Sequence, residues 1–318
     1  MVRELTTVVS AALPINERWA IKRCRYAPEG GGTGRVCLAT GIHGDEMMGQ
    51  LVVYAVAKRI REHPEALRGT VDMYPMLNPL GMDIGQRMVP TITRLDMNRA
   101  FPGNPNGTPM DMICAAVFDD MKGADLVLDI HASTQHKSEM YEVRLSAESA
   151  DRLLPKARAL CPELIWVFPE KSAFRMSLAG SLCEAGTDAM VIEADERYMS
   201  PQDIAKSVVE GIFCKLKEMG IWAGEAPDVP ADDFDIPVVR SEADICRVSC
   251  EEPGIYVPKH SLGSVVEAGD VLGAVIDALR GEEREMVKAP CRGLVFSQRS
   301  YSAVYPGTLI ARIRKEQP

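Results

Sequence analysis

The sequence predicts an α/β protein: a mixed, mostly parallel sheet with helices on both faces, followed by a small all-β domain. Three observations carry this reading. Short apolar runs bounded by turn residues recur along the first two thirds of the chain, as buried strands do. Helical patterns lie between them, and strands alternating with helices build sheets covered on both sides. Beyond Gly224 the pattern changes to short alternating β segments with glycines at the turns.

The elements follow in order. Gly30 to Gly34 form a glycine-rich loop ahead of a buried strand at 36–40. Phosphate loops come after their strand, so these glycines are not read as one. A helical pattern spans 45–67, with Met47, Leu51, Val52, Ala55, Val56 and Ile60 at helical spacing. A second strand is expected at 71–77. The segment 78–108 is long, polar and rich in Gly and Pro, and loops of that length inside compact domains usually carry function. Further strands are expected at 126–130, 140–145, 164–168 and 190–192, with helices near 111–121, 148–160, 178–185 and 201–219. Pro227, Pro230 and Pro237 with Asp228, Asp232, Asp233 and Asp235 mark a linker. The expected division is an α/β domain at 1–225 and a β domain at 240–318.

Composition narrows the function. With 318 residues, 46% hydrophobic and 25% charged, the chain has an ordinary globular balance and buries a core without metal or disulfide staples, so a metal site is free to be catalytic. A net charge of −9 without a basic block argues against nucleic acid as partner. It leaves room for a small anionic substrate, because one or two buried arginines dominate a pocket locally. Nine dispersed cysteines without a CxxC pair read as reduced thiols, pointing to the cytoplasm. Residues 1–14 lack the layout of a signal peptide, and no apolar run approaches the length of a membrane span. No membrane partner is expected; a homo-oligomer is compatible with the sequence.

Four places carry chemistry. Gly41-Ile42-His43-Gly44-Asp45-Glu46 sits where a buried strand meets a helix, the edge at which α/β sheets build sites. His43 and Glu46 are three apart, so one turn aims both at one point, and imidazole with carboxylate suits zinc. Asp129-Ile130-His131 ends another strand. His131 as a third ligand would leave one coordination position open, the catalytic arrangement, with Asp129 on the same strand face to orient the imidazole. Glu193 ends a third buried run, where a carboxylate is costly unless paired or working. Asp195 and Glu196 compete with it as general base, and alternation puts Asp195 on the same face. Finally, the long loop holds Arg87 to Pro90, then Asp96 to Gly103, and arginines there suit carboxylates and oxyanions.

Taken together, His43 and Glu46, Arg87-x-x-Pro90, Asn98-Arg99 with Phe101-Pro102-Gly103, Asp129-Ile130-His131 and Glu193 resemble, in order, the succinylglutamate desuccinylase/aspartoacylase family of zinc carboxypeptidase-like hydrolases. The resemblance covers about two thirds of the chain. It implies one zinc ion (Zn2+) per chain on His43, Glu46 and His131, and Glu193 rather than Asp195 as the base that activates water and later protonates the leaving amine. It also implies that Arg87 polarises the scissile carbonyl and that Asn98 and Arg99 hold a substrate carboxylate. The expected activity is zinc-dependent hydrolysis of the amide bond of a small N-acyl amino acid. The alternative is a metallocarboxypeptidase acting on a short peptide C-terminus, and a non-enzymatic binding protein working through its β domain is the rival from another class.

The motifs leave the acyl group open, although Ser133, Thr134, Gln135 and His136 are candidates to line its pocket. The β domain is similar to lipoyl/biotinyl-like hairpin modules around Ala289-Pro290-Cys291-Arg292-Gly293, without their carrier lysine motif. It is expected to be structural or to cap the pocket, with Tyr256, Tyr301 and Tyr305 within possible reach.

Overall fold

The computed structural model describes the chain apart from residues 14–16, 91–94, 134–135, 170–171, 196–199, 229–235, 237 and 317–318. The strands of the first part are β1 (Val2–Ala12), β2 (Arg18–Ala27), β3 (Arg35–Thr40), β4 (Thr70–Tyr74), β5 (Leu126–His131), β6 (Lys137–Glu139), β7 (Glu142–Ser146), β8 (Leu164–Phe168), β9 (Ala189–Glu193) and β10 (Val238–Val239). Its helices are α1 (Met48–Glu62), α2 (Pro79–Asp83), α3 (Pro109–Met121), α4 (Ala150–Arg158), α5 (Leu178–Glu184) and α6 (Pro201–Glu218).

All of these strands except β6 form one sheet, in the order β1-β2-β4-β3-β5-β9-β7-β8-β10. β3 runs parallel to β4 and β5, β5 to β9, and β8 to β7 and β10. The pairs β1–β2, β2–β4 and β7–β9 are antiparallel. Side chains alternate between the two faces of a strand, yet nearly every residue of β3, β5 and β9 is buried, so both faces of the sheet centre are covered. The carboxyl ends of β3, β5 and β9 therefore lie side by side, with His131 opposite Glu193 in the ladder.

Beyond residue 240 come β11 (Ile245–Ser249), β12 (Gly254–Pro258), β13 (Val265–Val266), β14 (Val271–Asp277), β15 (Glu282–Lys288), β16 (Gly293–Arg299), β17 (Ser302–Val304) and β18 (Leu309–Lys315). They form two antiparallel sheets, β11-β18-β16-β13 and β15-β14-β12-β17, around their own apolar core of Tyr256, Val275, Val295 and Ile313. β6 joins the first of these by pairing with β16. A further apolar cluster, including Met140, Trp166, Val239, Ile245 and Phe296, packs where the two parts meet.

Several expectations shift. The helix expected at 45–67 occupies Met48–Glu62, because the turn that carries His43 and Glu46 precedes it and Pro64 follows it. The strand expected at 71–77 stops at Tyr74, before Pro75, which has no N–H for the ladder. The long loop contains α2 and a single 3-10 turn at Met97–Arg99. The ribbon of β1 and β2 and the short strands β6 and β10 were not expected. β10 extends the large sheet past the linker, of which Pro230, Asp232, Asp233, Asp235 and Pro237 lie outside the described residues. The nine cysteines are free thiols, and no helix among the described residues is long and apolar enough to cross a membrane.

One close contact ties α1 to the sheet. A Cβ on Gly49 would lie 1.7 Å from Thr40 Oγ1, at the last residue of β3. Only glycine lets the first turn of α1 pack against that strand end and define the space for the loop between them. Gly49→Ala should therefore destabilise the protein by roughly 1–3 kcal/mol through overpacking. Thermal unfolding reads this; an unchanged midpoint would remove Gly49 from the account.

Candidate active site

The chain leaves β3 through Gly41, whose φ of +70° turns it out of the strand. Gly44 has no room for a side chain: a Cβ there would meet the Gly81 carbonyl carbon at 2.1 Å and Met82 N at 2.4 Å. The His43–Glu46 turn is thus wedged against α2, and Gly44 N donates to Arg87 O at 3.4 Å. The two glycines flanking Ile42-His43 set the turn down beside the loop that brings Arg87.

Three donors converge there. His43 Nδ1 lies 2.8 Å from Glu46 Oε1, His131 Nδ1 lies 2.9 Å from Glu46 Oε2, and the two Nδ1 atoms are 3.1 Å apart. All three residues are buried, and their donor atoms fall within 4.8 Å of one another. A carboxylate stands behind each outer nitrogen: His43 Nε2 is hydrogen-bonded to Asp96 Oδ1 at 3.1 Å, and His131 Nε2 lies 3.1 Å from Asp129 Oδ2. This is the carboxylate–histidine pairing that fixes a ligating imidazole and raises its basicity. Two inward imidazole nitrogens and one carboxylate, buried and oriented from behind, fit a catalytic zinc site. Asp129 stands beside the imidazole it was expected to orient. Asp96 was missed as a partner of His43; its position two residues before Asn98, where its Oδ1 also accepts from Asn98 N at 2.9 Å, was the available signal.

The electrostatics follow from burial. Burial alone would discharge Glu46, but the two imidazoles hold its carboxyl far below the usual range. Burial disfavours protonated His43 and His131, yet Glu46, with Asp96 for one ring and Asp129 for the other, keeps both above the ordinary histidine value. The cluster is a carboxylate-centred trap for positive charge.

Around it lies a cavity of about 190 Å³. Arg87, Asn98, Arg99, Ser133 and Glu193 line it with His43, Glu46 and His131, joined by Lys137, Glu139, Arg144, Phe168 and Phe174. Arg87 Nη1 donates to Glu46 Oε1 at 2.9 Å and Nη2 to Asp96 Oδ2 at 3.4 Å. Asn98 Oδ1 accepts from Leu178 N at 3.0 Å, at the start of α5, while its amide nitrogen lies 3.4 Å from His131 Nε2. Arg99 is exposed at the cavity, with Nη1 donating to Asn98 O at 2.6 Å. Asp195 is buried outside the lining, its Oδ2 accepting from Glu139 N at 3.2 Å, and Glu196 lies outside the described residues. Of the acyl-pocket candidates, Ser133 lines the cavity, His136 does not, and Thr134 and Gln135 are not described. Tyr256 is in the core of the C-terminal sheets, Tyr301 and Tyr305 are exposed, and none of the three lines the cavity.

Sequence reasoning missed Arg144. It is largely buried, donates to Glu193 Oε1 at 2.5 Å, and lies 3.0 Å from Glu139 Oε1 and 2.6 Å from Glu142 Oε1. Phe168 and Trp166 carry its guanidinium at 5.7 and 5.6 Å from their ring centres. Two charges alternating inside an otherwise apolar run, Glu142 and Arg144, were the signal. Burial pushes Glu193 up, helped by Glu139 and Glu46, and Arg144 and His131 only partly offset it. Burial likewise pushes Glu142 up to about 7, against the pull of Arg144.

Residues 33–218 match the succinylglutamate desuccinylase/aspartoacylase catalytic domain. Over 294 residues the chain is 28% identical to the N-alpha-acetyl-L-2,4-diaminobutyric acid deacetylase of Halomonas elongata, covering 89% of this chain and 82% of that protein. The product-bound ectoine utilization protein of Ruegeria pomeroyi superposes with a TM-score of 0.82 over 99% of this chain and 95% of its own, at 21% identity. More distantly, a metallo-carboxypeptidase of Burkholderia cenocepacia shares the fold over 68% of this chain and 64% of its own, with a TM-score of 0.55 and 13% identity. The match over most of the α/β part establishes that the chain belongs to the succinylglutamate desuccinylase/aspartoacylase family.

Proposed function

We propose that the chain is a zinc-dependent deacylase that hydrolyses the amide bond of a small N-acyl amino acid, releasing a carboxylic acid and an amino acid. The observation that carries this is the convergence of His43, Glu46 and His131 with the carboxylate of Glu193 on one small cavity bordered by Arg87 and Arg99. The family match over the α/β part is the reason to prefer a deacylase to a carboxypeptidase. The related deacetylase acts, by its name, on an N-acetylated diamino acid, which supports the same class.

His43, Glu46 and His131 would hold zinc, which supplies a Lewis acid that polarises the scissile carbonyl and acidifies water. Glu193, held by Arg144 and pushed upward by burial, accepts the proton of the attacking water and passes it to the leaving amine. Arg87 turns part of its guanidinium from Glu46 and Asp96 toward the oxygen that gains negative charge. Arg99 binds the substrate carboxylate, with the amide nitrogen of Asn98 beside it.

Purified protein is expected to carry about one zinc per chain. Changing His43, Glu46 or His131 to Ala should remove zinc and activity together while the far-UV spectrum is kept; full zinc by elemental analysis in all three variants would end the assignment. Glu193→Gln should keep zinc and lose turnover by roughly two to four orders of magnitude. Asp195→Asn should do much less, and the reverse result reassigns the base.

The arginines separate kinetically. A contact made equally in ground and transition states appears in KM, and one made to developing charge appears in kcat. Arg99→Ala should mainly raise KM, while Arg87→Ala should lower kcat by about a hundredfold or more. Replacing the substrate carboxylate by a primary amide should hurt the parent protein and hardly affect Arg99→Ala. A parent protein that accepts acid and amide equally has no carboxylate anchor. The screen that defines the substrate is a panel of N-acyl amino acids with zinc-loaded protein, scored by free amine.

A further inference from the structure

Every residue lining the cavity lies between positions 43 and 193, so the C-terminal sheets do not cap it among the described residues. They meet it from behind, through β6. The register places Glu139 opposite Ser297 on β16, and Ser297 opposite Arg312 on β18. Directly opposed residues on neighbouring strands share a face, so Glu139, Ser297 and Arg312 form one row across three strands. Ser297 is short enough for Arg312 to reach over it: Arg312 Nη1 donates to Ser297 Oγ at 3.2 Å and comes within 3.8 Å of Glu139 Oε1.

The row continues into the cavity. Glu139 Oε1 is 3.0 Å from Arg144 Nη2, and Arg144 Nη1 holds Glu193 Oε1. Trp166 contacts both guanidiniums, Arg144 at 5.6 Å and Arg312 at 5.3 Å from its ring centre, and Phe296 of β16 packs edge-on against it at 5.4 Å. Glu139 is 1% exposed and is also engaged by Lys137 at 2.8 Å and Ser133 at 2.9 Å. Glu139 thus shares its charge among Lys137, Arg144 and Arg312, and removing Arg312 shifts more of that charge onto the two cations that remain, Arg144 among them.

We propose that Arg312 is a positioning residue for Glu193, acting through Glu139 and Arg144, so that the C-terminal sheet sets the aim of the base without touching substrate. The inference rests on the reading of Glu193 as general base. It assigns the β part a role in turnover although none of its described residues lines the cavity.

The test compares Arg312→Gln, Arg312→Lys, Arg144→Gln and the Arg312→Gln/Arg144→Gln pair in the zinc-loaded full chain, on the best substrate of the N-acyl amino acid screen. Zinc content and thermal midpoint are recorded for each, and Arg292→Gln, an exposed change in the bend before β16 whose partners are Glu267 and Glu316, serves as control. Arg312→Gln should lower kcat about tenfold, the low end for a residue that orients a catalytic group from behind, with KM and zinc unchanged. Arg312→Lys should recover most of the loss, and the double variant should be no slower than Arg144→Gln alone. Wild-type kcat in Arg312→Gln, losses that multiply in the double variant, or loss of zinc or fold without recovery in Arg312→Lys would each overturn the proposal. Failure of the base reading looks different: Glu193→Gln would retain turnover whatever Arg312 does.

Discussion

Glu46 is a buried carboxylate, and the site is built around keeping that charge paired. Its two oxygens receive His43, His131, Arg87 and the Ala132 N–H, all within 3.1 Å. A lone carboxylate in that position would cost several kcal/mol and would take up a proton instead. Adjacent parallel strands deliver the two imidazoles, and a long loop delivers the guanidinium. Asp96 and Asp129 then fix the rings from the outside. The same arrangement that stabilises one negative charge makes a place in which a divalent cation can replace protons.

Glu193 shows the opposite solution a few ångströms along the sheet edge. Here several carboxylates, Glu139, Glu142 and Glu193, crowd around Arg144. Burial, with the neighbouring carboxylates, pushes the pKa of Glu193 and Glu142 up, and Arg144 only partly offsets it. Two neighbourhoods side by side on one cavity thus push two carboxyls in opposite directions, Glu46 down and Glu193 up, the separation that the proposed ligand and base require.

Much of this was legible in the sequence because buried strands are continuous apolar runs and their ends are where polar residues must stop and be satisfied. His131 and Glu193 were found at such ends, and His43 just beyond another. The strand at Leu164–Phe168 came out with its bounds intact, since nothing polar interrupts it. What was hidden depended on partners distant in sequence. β1 mixes apolar and polar residues without clean alternation and has a register shift between Thr7 and Val9, so its pattern resembled neither a strand nor a helix. Arg144 looks like an interruption of a strand until the carboxylates it serves are seen around it. Asp96 sits in a polar loop where any single acid appears ordinary. Glu193 and Asp195 were indistinguishable by alternation because the strand ends at Glu193, and past that point the period of two no longer governs direction.

β6 belongs by sequence to the α/β part and by hydrogen bonding to the C-terminal sheet. During synthesis this matters for timing. His43, Glu46, His131, Arg87 and Glu193 all precede β16 and β18 in the chain and leave the ribosome before them. Lys137 and Glu139 then have no strand to pair with, and Arg144 lacks one of the anchors for its environment. The wall behind Glu193 therefore completes its contacts only once β16 and β18 have been made, later than any residue proposed to hold the metal.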